Sequence, residues 1–336
     1  MPKMLQIAIL VCTAFLVLRT AYFYFFINKP KATKYGINYS AKYARELGLN
    51  SNKAYLDILD NLNPKLVRLN AYWDEIETSP ESYNFSEINW QISQAQKRNI
   101  EVILALGRKV PRWPECHDPV FIKNQSEEEI KNKLLLLIKE EVLNFRNFPN
   151  IKYYQVENEP FFPFGECPHP LGDREFIKKE IKLVKELDSN KKILIQDSGE
   201  TGIWPLTKSL GDILGISMYK FVVFNPRIIN LDIYITYPLP HWYYRLKASF
   251  FGINTENIII TELQAEPWGT KPIGMLSKEE IEKTASYAKF NNLIEISQKS
   301  GFSNALFWGV EWWYKQKELG DSFYFDTAKK AMLGNP

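Results

Sequence analysis

A parallel α/β barrel behind an N-terminal apolar helix is the fold class that this sequence predicts. Three observations predict it. Eight short runs rich in β-branched and aromatic residues recur through the chain, longer amphipathic segments separate them, and no charge block or Gly/Ser linker divides residues 35–336. Near-continuous apolar strands spaced by helices build a parallel sheet covered by helices. Eight such units over about 300 residues suit a (β/α)8, or TIM, barrel, which needs ~250. A doubly wound open sheet is the alternative, but no G-x-G-x-x-G follows the first strand, so its dinucleotide-binding form lacks its main feature.

The first element is apolar. MLQIAILVCTAFLVL (4–18) carries no charge, and after Arg19 and Thr20 a second block, AYFYFFI, runs to position 27. As one helix this stretch is long enough to cross a hydrocarbon layer of ~30 Å. Arg19 can snorkel, and Tyr22 and Tyr24 suit an interface. Residues 1–34 therefore read as an uncleaved signal anchor and short linker. A cleaved signal peptide, with Lys3 as its basic end, and a buried or interfacial helix are the alternatives. Lys3 lies on one side and Lys29, Lys31 and Lys34 on the other, so charge does not set the orientation.

Residues 35–336 read as a single domain. Its strands are expected at YGINYS (35–40), KLVRLNAY (65–72), EVILALG (101–107), IKYYQVEN (151–158), KKILIQD (191–197), ILGISMY (213–219), NIIITEL (257–263) and NALFWGV (304–310). Helical periodicity marks 126–145, 173–188 and 277–300, with a Ser or Asp and following acids at the helix starts. The connection 220–256 is long, aromatic and Pro-punctuated. It is expected to form a lid over a cleft, with a short amphipathic helix over 241–251 that has the membrane surface as its other possible resting place.

Composition narrows the function. Forty-two Lys and Arg against 39 Asp and Glu leave a charge of +3, which gives no basic stripe for nucleic acid. Three His, with no H-x-H or H-E-x-x-H pair, argue against a metal hydrolase, and no cofactor is expected. Nine Trp and 18 Tyr suggest a flat ligand.

In a barrel, functional groups gather at the C-terminal strand ends. Those ends hold Tyr39 and Ser40, Arg68 to Trp73, Gly107 and Arg108, Asn158 and Glu159, Asp197, Tyr219, Glu262, and Trp308 with Glu311. Glu159 and Glu262, on the fourth and seventh strands, can straddle a small ligand. Two facing carboxyls are what glycoside cleavage with retention requires, one protonated and one ionised. Trp73, Trp113, Trp268, Trp312 and Trp313 follow strand ends. Indoles stack on sugar C–H faces, so Trp73, Trp113 and Trp268 are expected as substrate subsites, and Trp312 or Trp313 as a packing plug. Glu266 and Glu311 are candidates for binding hydroxyls. Cys116 and Cys167 follow the third and fourth strands; in an exported domain they suit a disulfide, with a Cys116–His117 nucleophilic pair or zinc ligation as alternatives. Cys12 lies in the apolar segment.

With Asn158-Glu159-Pro160 closing strand four, Glu262 closing strand seven, and Arg68, Tyr219 and Trp308 in register, residues 35–330 resemble the clan A glycoside hydrolases, which include the family 5 cellulases. The resemblance implies a (β/α)8 barrel that cleaves O-glycosidic, β-linked bonds with retention. It implies Glu159 as acid/base, its pKa raised by the nucleophile's charge, and Glu262 as nucleophile. Asn158 would bind the sugar 2-hydroxyl, Arg68 and Tyr219 would hydrogen-bond Glu262, and Trp308 would floor the reacting sugar. Many family 5 members carry His near strands three and six, where this chain has Gly107-Arg108 and Met218-Tyr219 and only His117 and His169 in the loops that follow. The partners implied are an oligo- or polysaccharide and, through the N-terminal segment, a membrane. The domain is expected outside the cytoplasm, anchored or secreted after cleavage. A transglycosylase using the same site and an inactive carbohydrate-binding barrel are the competing functions.

Overall fold

The computed structural model describes residues 3–167, 172–226 and 231–334. Eight strands close a parallel barrel: β1 (Lys34–Asn38), β2 (Leu66–Asn70), β3 (Glu101–Leu106), β4 (Ile151–Val156), β5 (Lys192–Asp197), β6 (Ile213–Met218), β7 (Ile258–Gln264) and β8 (Asn304–Trp308). They pair in sequence order, and β8 returns to β1. Every strand expected from the sequence is present. His169 lies outside the described residues.

Inside the barrel, Leu66, Ile103, Leu194, Ile213, Ile259 and Leu306 form one apolar layer from six strands. Gly36 completes it on β1, where a Cβ would collide with the Leu66 carbonyl. Side chains alternate along a strand with a period of two, so the next inward positions after these include Arg68, Gln196, Gly215 and Trp308. The interior is therefore apolar below and polar above.

Helix starts follow the capping signals. Ser126 and Glu129 form a capping box at Glu127–Phe145, and Asp173 accepts two backbone N–H groups at the start of Arg174–Leu187. The helix expected over 277–300 is two, Lys278–Ala285 and Tyr287–Ser300. Ser286 takes an extended conformation between them and caps the second with its side chain.

The N-terminal helix, Lys3–Tyr22, continues into a π-helical turn, Phe23–Ile27. This 25-residue span is long and apolar enough to cross a membrane, and none of it is buried, which rules against the buried-helix alternative. It meets the barrel through helix Tyr243–Phe251. Arg19 donates to the Phe250 carbonyl at 2.8 Å, and the Arg245 guanidinium lies 4.3 Å from the Tyr24 ring centre. Asn28 is fully buried; its amide donates to Ser249 and to the Ile253 carbonyl, and its oxygen accepts from Thr255 N–H. The helical part of the expected lid thus lies on the barrel's flank, burying Tyr244, Ala248 and Ser249, and does not cover the mouth. The same connection also holds a hairpin, Phe221–Phe224 with Ile233–Thr236.

Three glutamates occupy the layer between barrel and helices. Glu141, Glu157 and Glu180 are fully buried. Burial pushes Glu157 up to about 7 and the other two well above the usual carboxylate range, and the neighbouring carboxylates add to the rise at Glu141 and Glu180. The unfolded chain ionises these groups near pH 4.5 while the folded chain retains their protons. Their contribution to stability is therefore full below that pH and is lost as pH rises through 7 and beyond. Glu180→Gln is expected to melt about 2–4 °C above the wild type at pH 8, with the difference shrinking at pH 5 in thermal scans.

Candidate active site

Strand β7 does not run straight to its end. Its register against β6 slips between Ile260 and Glu262, which pair with the consecutive residues Ile216 and Ser217. One extra residue reverses which face the following side chains occupy. Glu262 therefore projects into the mouth above the apolar layer.

Three donors converge on its carboxylate. Arg68 donates to Oε1 at 2.6 Å, Gln196 to Oε1 at 2.7 Å and the Tyr219 hydroxyl to Oε2 at 3.0 Å. Burial holds the Tyr219 phenol well above its usual range, so it stays a donor. Arg68 is fully buried and also donates to the side-chain oxygens of Gln155 and Gln196.

The end of β4 is bent by backbone conformation. Glu157 and Glu159 both have positive φ, 59° and 43°, a region that non-glycine residues seldom adopt. The bend is held from β3. Glu157 accepts from the backbone N–H groups of Arg108 and Lys109, and the Lys109 ammonium donates to the carbonyls of Glu159 and Phe162. Gly107 is required here, because a Cβ would strike the Glu157 carboxylate.

This bend directs Glu159 toward β6, where Ser217 donates to its Oε1 at 2.8 Å. Ser217 is also the backbone register partner of Glu262, and the Glu159 carboxyl lies close enough to Glu262 to feel its charge. Glu159 is pushed up to about 8, first by burial and second by the charge of Glu262. The order differs from the sequence expectation, which gave the charge as the cause.

Asn158 is buried and oriented from both sides. Its oxygen accepts from Gln155, and its amide donates to Glu115 Oε2 at 2.9 Å. An amide NH2 carries two protons, so one donor remains beyond the bond to Glu115. Glu115 is a third carboxyl at the mouth, raised to about 7 by burial and close enough to feel Glu262. Its loop is fastened by a disulfide from Cys116 to Cys167, which takes up both sulfurs and leaves neither the nucleophilic pair nor zinc ligation available to them. His117 is buried, held down to about 3 by burial and Lys42.

The tryptophans divide. Trp113 is 56% exposed, and its ring meets Phe164, which meets Trp268, which meets Tyr219 edge-on at 4.8 Å. An aromatic row therefore leads from the surface to Glu262. Trp308 is half-buried, with the Arg112 guanidinium 4.1 Å from its ring centre. Trp73 is corrected: it is fully buried, with its indole N–H bonded to Glu77, and has no face for a sugar because its short helix turns it into the core. Trp312 and Trp313 are buried as packing residues. Glu266 and Glu311 both pair with Arg112; Glu311 is fully buried and has no oxygen free for a sugar hydroxyl.

Gln155, Gln196, Ser217, Glu115 and Arg112 were not expected. For the first three the available signal is parity: each lies two or four residues beyond an inward apolar position on its strand. For Glu115 and Arg112 no signal is present, since they lie in an irregular loop.

The chain matches no protein-family model, and no curated protein matches it. Solved structures do share its fold. A GH5_18 protein of Streptomyces cattleya, solved with GlcNAc, aligns with TM-score 0.57 and 12% identity over 83% of this chain and 71% of its own. The exo-β-1,4-mannosidase Op5Man5 of Opitutaceae bacterium strain TAV5 aligns with TM-score 0.55 and 13% identity, covering 83% of this chain and 52% of its own. The chain thus spans about half of that enzyme. Xylanase 10B of Thermotoga petrophila RKU-1, solved with xylobiose, aligns with TM-score 0.51 and 19% identity over 83% and 82%. These neighbours are clan A glycoside hydrolases, and the chain has their closed (β/α)8 barrel.

Proposed function

We propose that the barrel is a retaining glycosidase acting on β-linked sugars. One observation carries the reading: two buried carboxyls share Ser217 as a common neighbour, and their surroundings differ in kind. Glu262 is ringed by a guanidinium, an amide and a phenol, all donors. Glu159 has one hydroxyl donor and a raised pKa. Environments that separate two carboxyls in this way define an acid and a nucleophile.

In the first step a Glu262 oxygen bonds to the anomeric carbon as the glycosidic C–O bond breaks, and Glu159 gives its proton to the departing oxygen. In the second step Glu159 takes a proton from water, whose oxygen replaces Glu262 at the anomeric carbon and frees the carboxylate. Asn158, fixed by Gln155 and Glu115, offers its remaining N–H to the sugar. Trp308, half-buried beside the Arg112 and Arg68 guanidiniums, floors the reacting ring, and Phe164, on the loop after Glu159, joins Trp113 and Trp268 in lining the path to it. The N-terminal helix holds the enzyme to a membrane with the barrel outside the cytoplasm, a placement that the disulfide favours.

With chromogenic β-glycosides, Glu262→Gln is expected to abolish turnover, while chelators leave the wild type intact. In the wild type kcat/KM is expected to fall as pH rises through about 8, where the acid loses its proton. Glu159→Gln is expected to lose ~10²–10⁴-fold on substrates with poor leaving groups and to lack that alkaline limb. Wild-type activity that persists in Glu262→Gln would sink the assignment. Arg68→Met leaves Glu262 without its cation and is expected to cost about 3–5 kcal/mol in denaturant unfolding. Arg68→Lys keeps the charge without the two-pronged geometry, so kcat should fall further than stability does.

A further inference from the structure

The mouth is closed on one side. Arg112, in the loop after β3, is 7% exposed and has φ 92°. Its guanidinium is sandwiched between Tyr43, at 3.8 Å, and Trp308, at 4.1 Å. It pairs with Glu266, after β7, and with Glu311 Oε2, after β8, at 2.7 Å. The other Glu311 oxygen accepts from Ser40 N–H, after β1. Loops from four strands therefore converge on one cation.

The loop carrying Arg112 is also fastened to its neighbours. The Tyr72 hydroxyl bridges the Ser40 hydroxyl, at 2.8 Å, and the Pro111 carbonyl, at 3.1 Å. His117 bonds the Arg112 carbonyl through Nε2 and meets Lys42 through Nδ1, and Lys42 in turn pairs with Asp74. Buried, paired charges of this kind resist displacement, since parting them strands a charge away from water.

Chemistry says which side this is. A leaving group lies beside the proton donor, Glu159 on β4, and the attacked sugar lies at Glu262 and Trp308 on β7 and β8. Further sugars on the attacked side would have to pass over β8, β1 and β2, where the Arg112 clamp stands. The half-open row of Trp113, Phe164 and Trp268 lies off the clamp, and its middle member, Phe164, stands on the loop that carries Glu159.

We infer that the protein is exo-acting: it removes one sugar at a time from the non-reducing end of a glycan, and the Arg112 clamp is the wall that ends the site. The inference rests on the glycosidase reading. Arg112, Tyr43, Glu266 and Glu311 are specificity-determining residues in it, acting through the wall they form.

The test uses the full-length protein and oligosaccharides tagged at the reducing end, built from the sugar whose aryl β-glycoside is cleaved. The tagged chain is expected to shorten by one unit at a time with a monosaccharide as the only released product. A methyl ether on the terminal non-reducing 4-hydroxyl is expected to stop it. Tyr43→Ala, which removes one wall of the sandwich and no charge, is expected to raise cleavage of the capped relative to the uncapped substrate about tenfold or more. Release of dimers or longer pieces by the wild type, or its cleavage of the capped chain, overturns the exo assignment and leaves the glycosidase reading standing. Failure to cleave any aryl glycoside or oligosaccharide overturns both.

Discussion

The ion pair between Arg68 and Glu262 is the constraint on which the upper barrel depends. A guanidinium without exposure in the middle of a barrel costs several kcal/mol unless its donors find acceptors. The acceptors come from three strands: Gln155, Gln196 and Glu262. Meeting its two terminal NH2 groups fixes the amides in turn. Gln196 turns its oxygen to Arg68, so its nitrogen is left for Glu262. Gln155 does the same, and its nitrogen goes to Asn158, whose own nitrogen goes to Glu115. An amide's two ends are not interchangeable once one is committed. A single cation thereby sets the polarity of two chains of hydrogen bonds, one ending on Glu262 and the other passing through Asn158 to Glu115.

Backbone irregularity does the rest. A regular strand places alternate residues inward, and regular ends at β4 and β7 would not bring Glu159 and Glu262 to the same neighbour. The register slip in β7 turns one carboxylate, and the two left-handed residues at the end of β4 turn the other. Such conformations cost roughly 1–3 kcal/mol each and need support. At β4 the support is the pair of N–H groups after Gly107 that grip Glu157, together with the Lys109 ammonium on the next turn. The buried Glu157 is thus tied to the site through the backbone that it holds.

The barrel was legible because its signals are periodic. Each strand announces itself by β-branched or aromatic residues over five to seven positions, and the eightfold recurrence admits few folds. Arg68, Glu159, Tyr219 and Glu262 were legible as candidates because a barrel gathers its functional groups at the strand ends. What stayed hidden depends on three-dimensional closure. Gln155 and Gln196 look like ordinary strand residues until the barrel turns them inward, toward Arg68. Asp197 closes β5 in the sequence and looks the better candidate, but it faces outward and bonds Thr207. Trp73 follows a strand end as Trp113 does; only the packing around Glu77 distinguishes a core indole from one on the rim. Arg112 sits in a loop of no periodicity, and nothing in its neighbours along the chain shows that it reaches the far side of the mouth.

The position of the N-terminal helix bears on how such a site is presented. Strand β1 begins at Lys34, six residues after Asn28, at the barrel end opposite the carboxylates. Asn28 is not a loose tether, since its side chain is held by three partners on the segment leading into β7. Arg19 adds a fourth tie at the Phe250 carbonyl, where a cation suits the C-terminal end of a helix. The chain therefore enters the barrel through a fastened corner, and on the membrane-anchored reading the bilayer lies below that corner. The mouth then opens away from the lipid, at a height of at least one strand length, about 20 Å. On the glycosidase reading a glycan chain reaches the row of Trp113, Phe164 and Trp268 from the aqueous side, and a wall at Arg112 removes any need for the same chain to leave past the opposite rim.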